Sequence, residues 1–555
     1  MKIKKAIILS LVPLLGLSLA ACSSSKSANK TSTSGTDESN GKQVLNIAIP
    51  QEVPSIDLSL VTDTYGFTIL NNVYEGIYRL DKNNKTQLAG AEKVEINNDG
   101  TIYKVKLNKK ARWSDDKPVK AKDYVYGWQR TVNPKTSSEY AYLYNSVKNG
   151  KEINEGKKDL KELGIKAIND YELEITLQQA TPYFQYLLAM PTFFPQRQDI
   201  VEKYGKNYST TSESSVYNGP FVLANFDGPG TSTKWEYNKN NHYWDKKAVK
   251  LDKINFNVVK EAPTALNLFQ DKQTDDVILT GELAQQMSND PNFTSQKQAS
   301  TSYLEFNQRD ENSPYRNKNL RKAISYAVDR KALVNNILGD GSIVPKGLVP
   351  ANMAKDPKND KKDFTSEAGD IPTYNKRKAK EYWEKAKKEL GIKELKMDIL
   401  AVDTDSLKKI VEYLQNAITD SLKDVKVSVS TVPFSVRLDR SNKGDFDVVL
   451  GAWSADYADP SSFLDLFTTG NAYNRGRYTN KNYDDLVHSA ATTNSTHLEK
   501  RWKNMIDAEK IIMDDMGVVP IYQKAEAHLR AEKVKGVVAH PAGAQFDYKW
   551  TYISE

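Results

Sequence analysis

Apolar residues in this chain recur at two spacings, and the switching between them predicts a mixed α/β body. Val44–Ile49 (VLNIAI) is a short, mostly apolar run that reads as a strand. Residues 101–107 (TIYKVKL) and 171–177 (YELEITL) largely alternate polar and apolar positions, as strands with one buried face do. Asn98, Asp99 and Gly100 supply turn chemistry before the first, and 251–259 (LDKINFNVV) is a further strand candidate. The spacing becomes three and four over 320–338, where Leu320, Ala323, Ile324, Ala327, Val328, Leu333 and Ile337 predict one helix stopped by Gly339. Asn375 is placed to cap a second helix running to Leu390, with Gly391 at its stop. A third helix is expected over 405–422, followed by a strand at Val425–Val432. A fourth is expected over 503–516, before the apolar run 518–522. The polar stretch 354–373 reads as a surface loop, and no repeat of 20–50 residues stands out.

The amino-terminal apolar run has a different purpose. Residues 7–19 are mostly apolar, follow Lys2, Lys4 and Lys5, and lead to Leu19, Ala20, Ala21 and Cys22. This is the layout of a secretory signal peptide over 1–21. The run is shorter than the roughly 20 residues that span a bilayer. The four residues ending at Cys22 resemble the bacterial lipobox, so Cys22 is expected to be acylated and to anchor the protein to the membrane. It is the only cysteine in the chain, which excludes an intrachain disulfide and a Cys-based zinc site. Residues 23–42 contain no large apolar side chain and predict a flexible tether, with a span of roughly 25 Å for a chain of this length.

What remains, about 513 residues from Gln43, exceeds a single hydrophobic core and predicts at least two lobes. The formal charge is +7, and loss of the three leader lysines leaves +4. Lysines and carboxylates are interspersed, without the basic stripes of a nucleic-acid surface. Tyrosine is abundant, 30 residues, which gives rigid contact area with a polar tip. The five histidines form no His-x-x-x-His pair, and there is no Gly-x-Ser-x-Gly elbow or Gly-x₄-Gly-Lys-Ser/Thr phosphate loop. No catalysis, metal or cofactor is therefore expected.

Two segments carry a resemblance. The first comprises 103–107, Ala111, Arg112, Trp113, Ser114, Asp115, Pro118, Val119, Ala121, Asp123, Tyr124 and 125–130 (VYGWQR); the second is 451–465 (GAWSADYADPSSFLD). Weaker matches are Ser55, Ile56 and Asp57; 217–221 (YNGPF); 241–244; and 319–323 (NLRKA) with Ala327, Asp329 and Arg330. Together they resemble the oligopeptide-binding proteins of bacterial ABC importers, a large extracytoplasmic solute-binding family. The resemblance implies two α/β lobes of periplasmic-binding-protein type around a ligand cleft, with an extra domain. Lobe I would hold 43–74, 197–299 and 526–555, the extra domain 75–196, and lobe III 300–525. It also implies an oligopeptide ligand, permease subunits with associated ATPases as partners, and a monomer held at the outer face of the cell membrane. The Lys- and Asn-rich composition points to a Gram-positive surface.

In that family an aspartate after the tryptophan receives the peptide's amino terminus, and Asp456 occupies this position. An ammonium taken out of water needs such a partner. Trp453, Ser454 and Ala455 would line the same wall and pair with the peptide backbone as an added strand. Thr62, Asp63 and Thr64 match a segment of the opposite lobe, and Tyr140 and Tyr303 match cleft aromatics. Leu450 stands where some relatives carry a basic residue, and without that charge the cleft is expected to tolerate longer peptides. Other readings are a dedicated pheromone or signalling-peptide receptor of the same fold and, from another class, a cell-surface hydrolase or chaperone.

Overall fold

The computed structural model describes residues 42–369 and 371–555, so the leader, Cys22 and the tether lie outside the described residues. Lys42–Glu555 forms one compact unit around a ten-stranded sheet. The strand order is Val425–Val432, Leu395–Val402, Val448–Ser454, Phe293–Phe306, Val518–Arg530, Asp276–Leu279, Val44–Ile49, Lys253–Val258, Lys234–Lys239 and Phe221–Ala224. Val44–Ile49 runs parallel to both its neighbours, and Leu395–Val402 does the same at the other end. Between these parallel groups lie the two longest strands, Phe293–Phe306 and Val518–Arg530, which are antiparallel to each other and shift register between Lys297 and Thr301. They connect the two halves of the molecule. A separate antiparallel sheet, Ala91–Ile96, Ile102–Leu107, Glu172–Thr176 and Ile165–Asn169, belongs to the excursion between Val44–Ile49 and Phe221–Ala224 in sequence.

The expected strands at 44–49, 101–107, 171–177, 251–259 and 425–432 are present within a residue or two. Ile102–Leu107 buries every second residue, as its pattern requires. Asn375 caps Lys376–Leu390 through a 3.0 Å bond from the Lys378 amide, and Gly391 ends it at φ +67°.

Three expectations are corrected. The helix over 320–338 is broken: Lys318–Ala327 ends at Val328, and Asp329 caps the Ala332 amide at 3.0 Å to start a new turn. Asp329 favours a cap over continuation because its carboxylate competes for backbone donors. Residues 354–373 are not a bare loop. They form the hairpin Lys355–Asp356 and Asn359–Asp363, then the helix Phe364–Ala368, whose Phe364 is fully buried edge-on against Trp502 at 5.1 Å. One aromatic among charged neighbours gave no period to read. The last helix, Leu498–Asp515, begins five residues before its expected start, with no side-chain cap at His497 to mark the place.

The long first motif builds scaffold. Trp113 Nε1 donates to the Asp123 carboxylate at 3.2 Å, which also accepts the Lys120 amide at 2.9 Å, closing a capping box on Ala121–Val132. Arg130 from that helix grips Asp57 with two 2.6 Å bonds. Asn218 brackets the Glu75 backbone at 3.1 and 2.9 Å, and the Gly219 amide donates to the Val73 carbonyl at 2.9 Å. An added Cβ at Gly219 would meet Val73 and Tyr74 backbone atoms at 2.5–2.6 Å, which only glycine avoids. The Asn218 and Gly219 contacts fix the carboxy-terminal end of the helix Thr64–Val73, and Asp57 holds the segment that leads into its amino-terminal end.

Candidate functional site

A cleft of about 1660 Å³, its mouth included, opens between the end of that helix and the strand Val448–Ser454. Thr62, Asp63 and Thr64 line one wall; Leu450 to Ser454 and Asp456 line the other, and Tyr140 lies between them. Sequence-expected residues from three distant segments thus meet in one place. Ala455 and Tyr303 do not line it. Ala455 is fully buried behind the wall, its amide donating to the Ala299 carbonyl at 2.7 Å. The Tyr303 ring sits under Gly451 and packs edge-on against Phe467 at 5.5 Å.

Asp456 is 6% exposed, which sets it apart from an ordinary turn aspartate. The turn after it is held by Asp459, which pairs with Arg501 at 2.7 Å and accepts the Ser461 amide at 3.0 Å. The Asp456 amide donates to Ser462 Oγ at 2.9 Å, and its Oδ1 accepts the Tyr140 hydroxyl at 2.9 Å. Oδ2 has no hydrogen-bond partner among the described residues. Burial pushes the carboxyl up to about 8, with the Tyr140 bond opposing. Trp453 and Tyr140 stack at 6.1 Å, and Tyr473 meets Trp453 edge-on at 4.6 Å. The acid therefore sits in an aromatic box with one oxygen unused. Across the cleft, Asp63 caps its helix through a 2.8 Å bond from the Gly66 amide. Its other oxygen is likewise unpartnered among the described residues, and burial raises it to about 7.

The strand beside Asp456 is half paired. On one side Ser300, Thr301, Ser302 and Tyr303 match Ser454, Trp453, Ala452 and Gly451. On the other, Leu395–Val402 reaches only Val448 and Val449. From Leu450 to Ser454 that edge has no β partner among the described residues, and it faces the cleft. An exposed edge of this kind is a template for another extended backbone.

Several lining residues lie outside the motifs. Arg437 comes from the helix Phe434–Lys443, Tyr473 and Arg475 from one loop, and Lys524 and Glu526 from the long strand Val518–Arg530. Lys524 and Glu526 pair at 2.8 Å, and His528 bridges Glu526 at 3.0 Å and Asp276 at 2.7 Å. The two carboxylates hold the buried imidazole up at about 9 against desolvation. Lys524, Glu526 and His528 alternate at period two, a readable signal, but the hydropathy rule assigns such a face to solvent.

Comparison with known proteins places this geometry. Residues 85–475 match the model of the bacterial extracellular solute-binding proteins, family 5. A dipeptide-binding protein of Lactococcus lactis is 36% identical over 98% of both chains. The structure of Listeria monocytogenes OppA bound to peptide superposes with a TM-score of 0.89 at 39% identity, covering 93% of this chain and 100% of the other. The pheromone receptor PrgZ gives 0.89 at 43% identity, with the same coverage. Two structures of the murein tripeptide binding protein MppA, both 26% identical and the first from Escherichia coli, separate the conformations. One gives a TM-score of 0.83, the unliganded open form 0.61. The present arrangement is unlike that open form.

Proposed function

The chain belongs to the bacterial extracellular solute-binding proteins of family 5, and from that premise we propose that it captures oligopeptides in this cleft and delivers them to the permease of an ABC importer. One observation carries the reading: a buried carboxylate with an unused oxygen stands at the end of an unpaired strand edge. A peptide brings the ammonium that the first lacks and the backbone donors and acceptors that the second lacks. Main-chain pairing gives affinity without reading side chains, which suits mixed cargo.

In this reading the division into 43–74, 197–299 and 526–555, then 75–196, then 300–525, is that of lobe I, extra domain and lobe III. The long strands Phe293–Phe306 and Val518–Arg530 are the connections that bend as the cleft closes. Contacts across the cleft support this. Tyr140 reaches Asp456, Glu139 meets Arg475 at 3.1 Å and Asn442 at 2.7 Å, and Lys260 meets Asp403 at 3.2 Å. Cys22 carries lipid and keeps the trap beside its permease. Cys22→Ser should release the protein into the medium with peptide affinity unchanged, measured by fractionation and calorimetry. Membrane retention as firm as wild type would count against the anchor.

The similarity to PrgZ favours a second reading, a receptor dedicated to one signalling peptide. Native mass spectrometry of freshly purified protein separates the two. Co-purifying peptides of mixed mass support nutrient capture, and a single mass supports the dedicated receptor. A protein that releases no peptide and binds none added would overturn both.

A further inference from the structure

Arg437 lies in the helix Phe434–Lys443, four residues after Pro433, whose carbonyl accepts its amide at 2.9 Å. A cation near a helix amino terminus opposes the macrodipole, so the helix gains nothing from it. The side chain is only 8% exposed, yet its Nε makes no hydrogen bond, and no ion pair to it is found among the described residues. Its guanidinium lies 5.5 Å from the centre of the Phe434 ring.

Buried arginines elsewhere in the chain behave differently. Arg321 donates to the carbonyls of Asp515, Met516 and Tyr315, and Arg330 to those of Pro520 and Ser325. Arg475, beside Arg437 in the cleft, is matched by Glu139 at 3.1 Å and Asn442 at 2.6 Å. Glu305 acts on Arg437 from a distance, but its carboxylate is committed to the Gly476 amide at 2.6 Å. Burial and the neighbouring Arg475 lower Arg437 to about 10, so it stays charged at neutral pH. An unmatched buried guanidinium is costly unless something completes it.

We propose that Arg437 is the carboxylate receptor of the cleft, taking a terminal or side-chain carboxylate of the peptide whose ammonium meets Asp456. This rests on the peptide reading and deepens it. Both residues line the same cleft. The groups acting on Arg437 are Arg475, Tyr303, Glu305 and Glu139; Tyr303 and Glu305 pair with Gly451 and Val449, and Glu139 adjoins Tyr140, so Arg437 lies along the wall that runs from Gly451 to Asp456. From Gly451 to Asp456 is about five residues, roughly 16 Å at 3.3 Å each, the length of a short extended peptide. A guanidinium fork matches a carboxylate with two parallel bonds. The cation missing at Leu450 is thus supplied from another element.

The test is calorimetry on wild type and Arg437→Met. The ligands are penta-alanine as free acid, penta-alanine as C-terminal amide, and the amide with one interior alanine replaced by glutamate. Wild type should prefer the free acid to the amide, or the glutamate amide to the plain amide, by about tenfold or more. The first result identifies the terminus as the source of the carboxylate, the second a side chain. Arg437→Met should erase the preference, bringing the free acid and the glutamate amide to the affinity of the plain amide. Its peptide-free thermal midpoint should equal or exceed wild type, since the change removes an unmatched buried charge. Equal binding of all three ligands by wild type overturns the assignment. So does a variant with a lowered midpoint and weakened amide binding, which marks a structural role. Wild type that binds none of the three sinks the peptide reading itself, and this inference with it.

Discussion

Asp456→Asn should lower affinity for a peptide with a free amino terminus at least a hundredfold, and leave an N-acetylated version of the same peptide nearly unaffected. The expected loss is about 3–5 kcal/mol, the cost of removing one partner of a buried charge pair. It is this large because the other members of the aromatic box, Tyr140, Trp453 and Tyr473, carry no negative charge to answer an ammonium. Oδ1 already accepts the Tyr140 hydroxyl, and Oδ2 is the acceptor left over. Trp453 and Tyr473 offer ring faces, worth only about 0.5–2 kcal/mol to a cation. Asp456→Ala should lose as much, whereas Tyr140→Phe should cost about 1 kcal/mol, the usual net value of one hydrogen bond. Calorimetry at pH 7.5 with acetylated and free peptides decides the matter. An unchanged affinity of either Asp456 variant for the free-amine peptide would remove this residue from the site.

How much of this was legible depended on whether the information was local. The strand at 102–107 and the capped helix Lys376–Leu390 were readable because period and caps are local properties. The break at Val328 was missed because an aspartate cap competes with an apolar stripe that runs past it. Asp456, Trp453, Ser454, Thr62, Asp63, Thr64 and Tyr140 were reached through the resemblance, and the cleft brings all seven together. Their sequence separation gives no hint of that: Tyr140 and Asp456 are 316 positions apart. Arg437 was unreadable for a different reason. Its significance lies in a partner it does not have, and the fate of each donor is decided by tertiary packing. Tyr303 shows the converse, since position in a matching segment does not fix which face of a strand a side chain takes. Ser300 and Ser302 face the cleft, while Tyr303 lies beneath Gly451.

The cleft of the peptide-free protein should close as pH falls from 8 to 5. In the arrangement described here, burial raises Asp456 from 3.8 to about 8 and Asp63 from 3.8 to about 7. Opening the cleft returns both carboxyls to water and to ordinary values near 4. The closed form therefore binds more protons between pH 4 and 8. Its advantage is fully present below about 4 and is lost as pH rises through 7 and then 8, by at most tenfold per unit for each group. Tyr140, Tyr142 and Tyr473, which share the box with Asp456, are all pushed above their ordinary range by burial and stay neutral throughout. A peptide ammonium does at neutral pH what the proton does at acid pH: it cancels the Asp456 charge that closure would otherwise strand. Small-angle scattering should show a smaller radius of gyration at pH 5 than at pH 8 without peptide, and the smaller value at both with it. In Asp456→Asn the contrast should shrink, leaving only the part due to Asp63, because the amide needs no counter-charge to be buried. A radius indifferent to pH in the peptide-free wild type would refute this coupling, and so would an Asn variant that responds as fully as wild type. Under this scheme the carboxylate that gives affinity also holds the unfilled cleft open, so the signal that the permease reads, a closed receptor, is tied to cargo by the same buried charge.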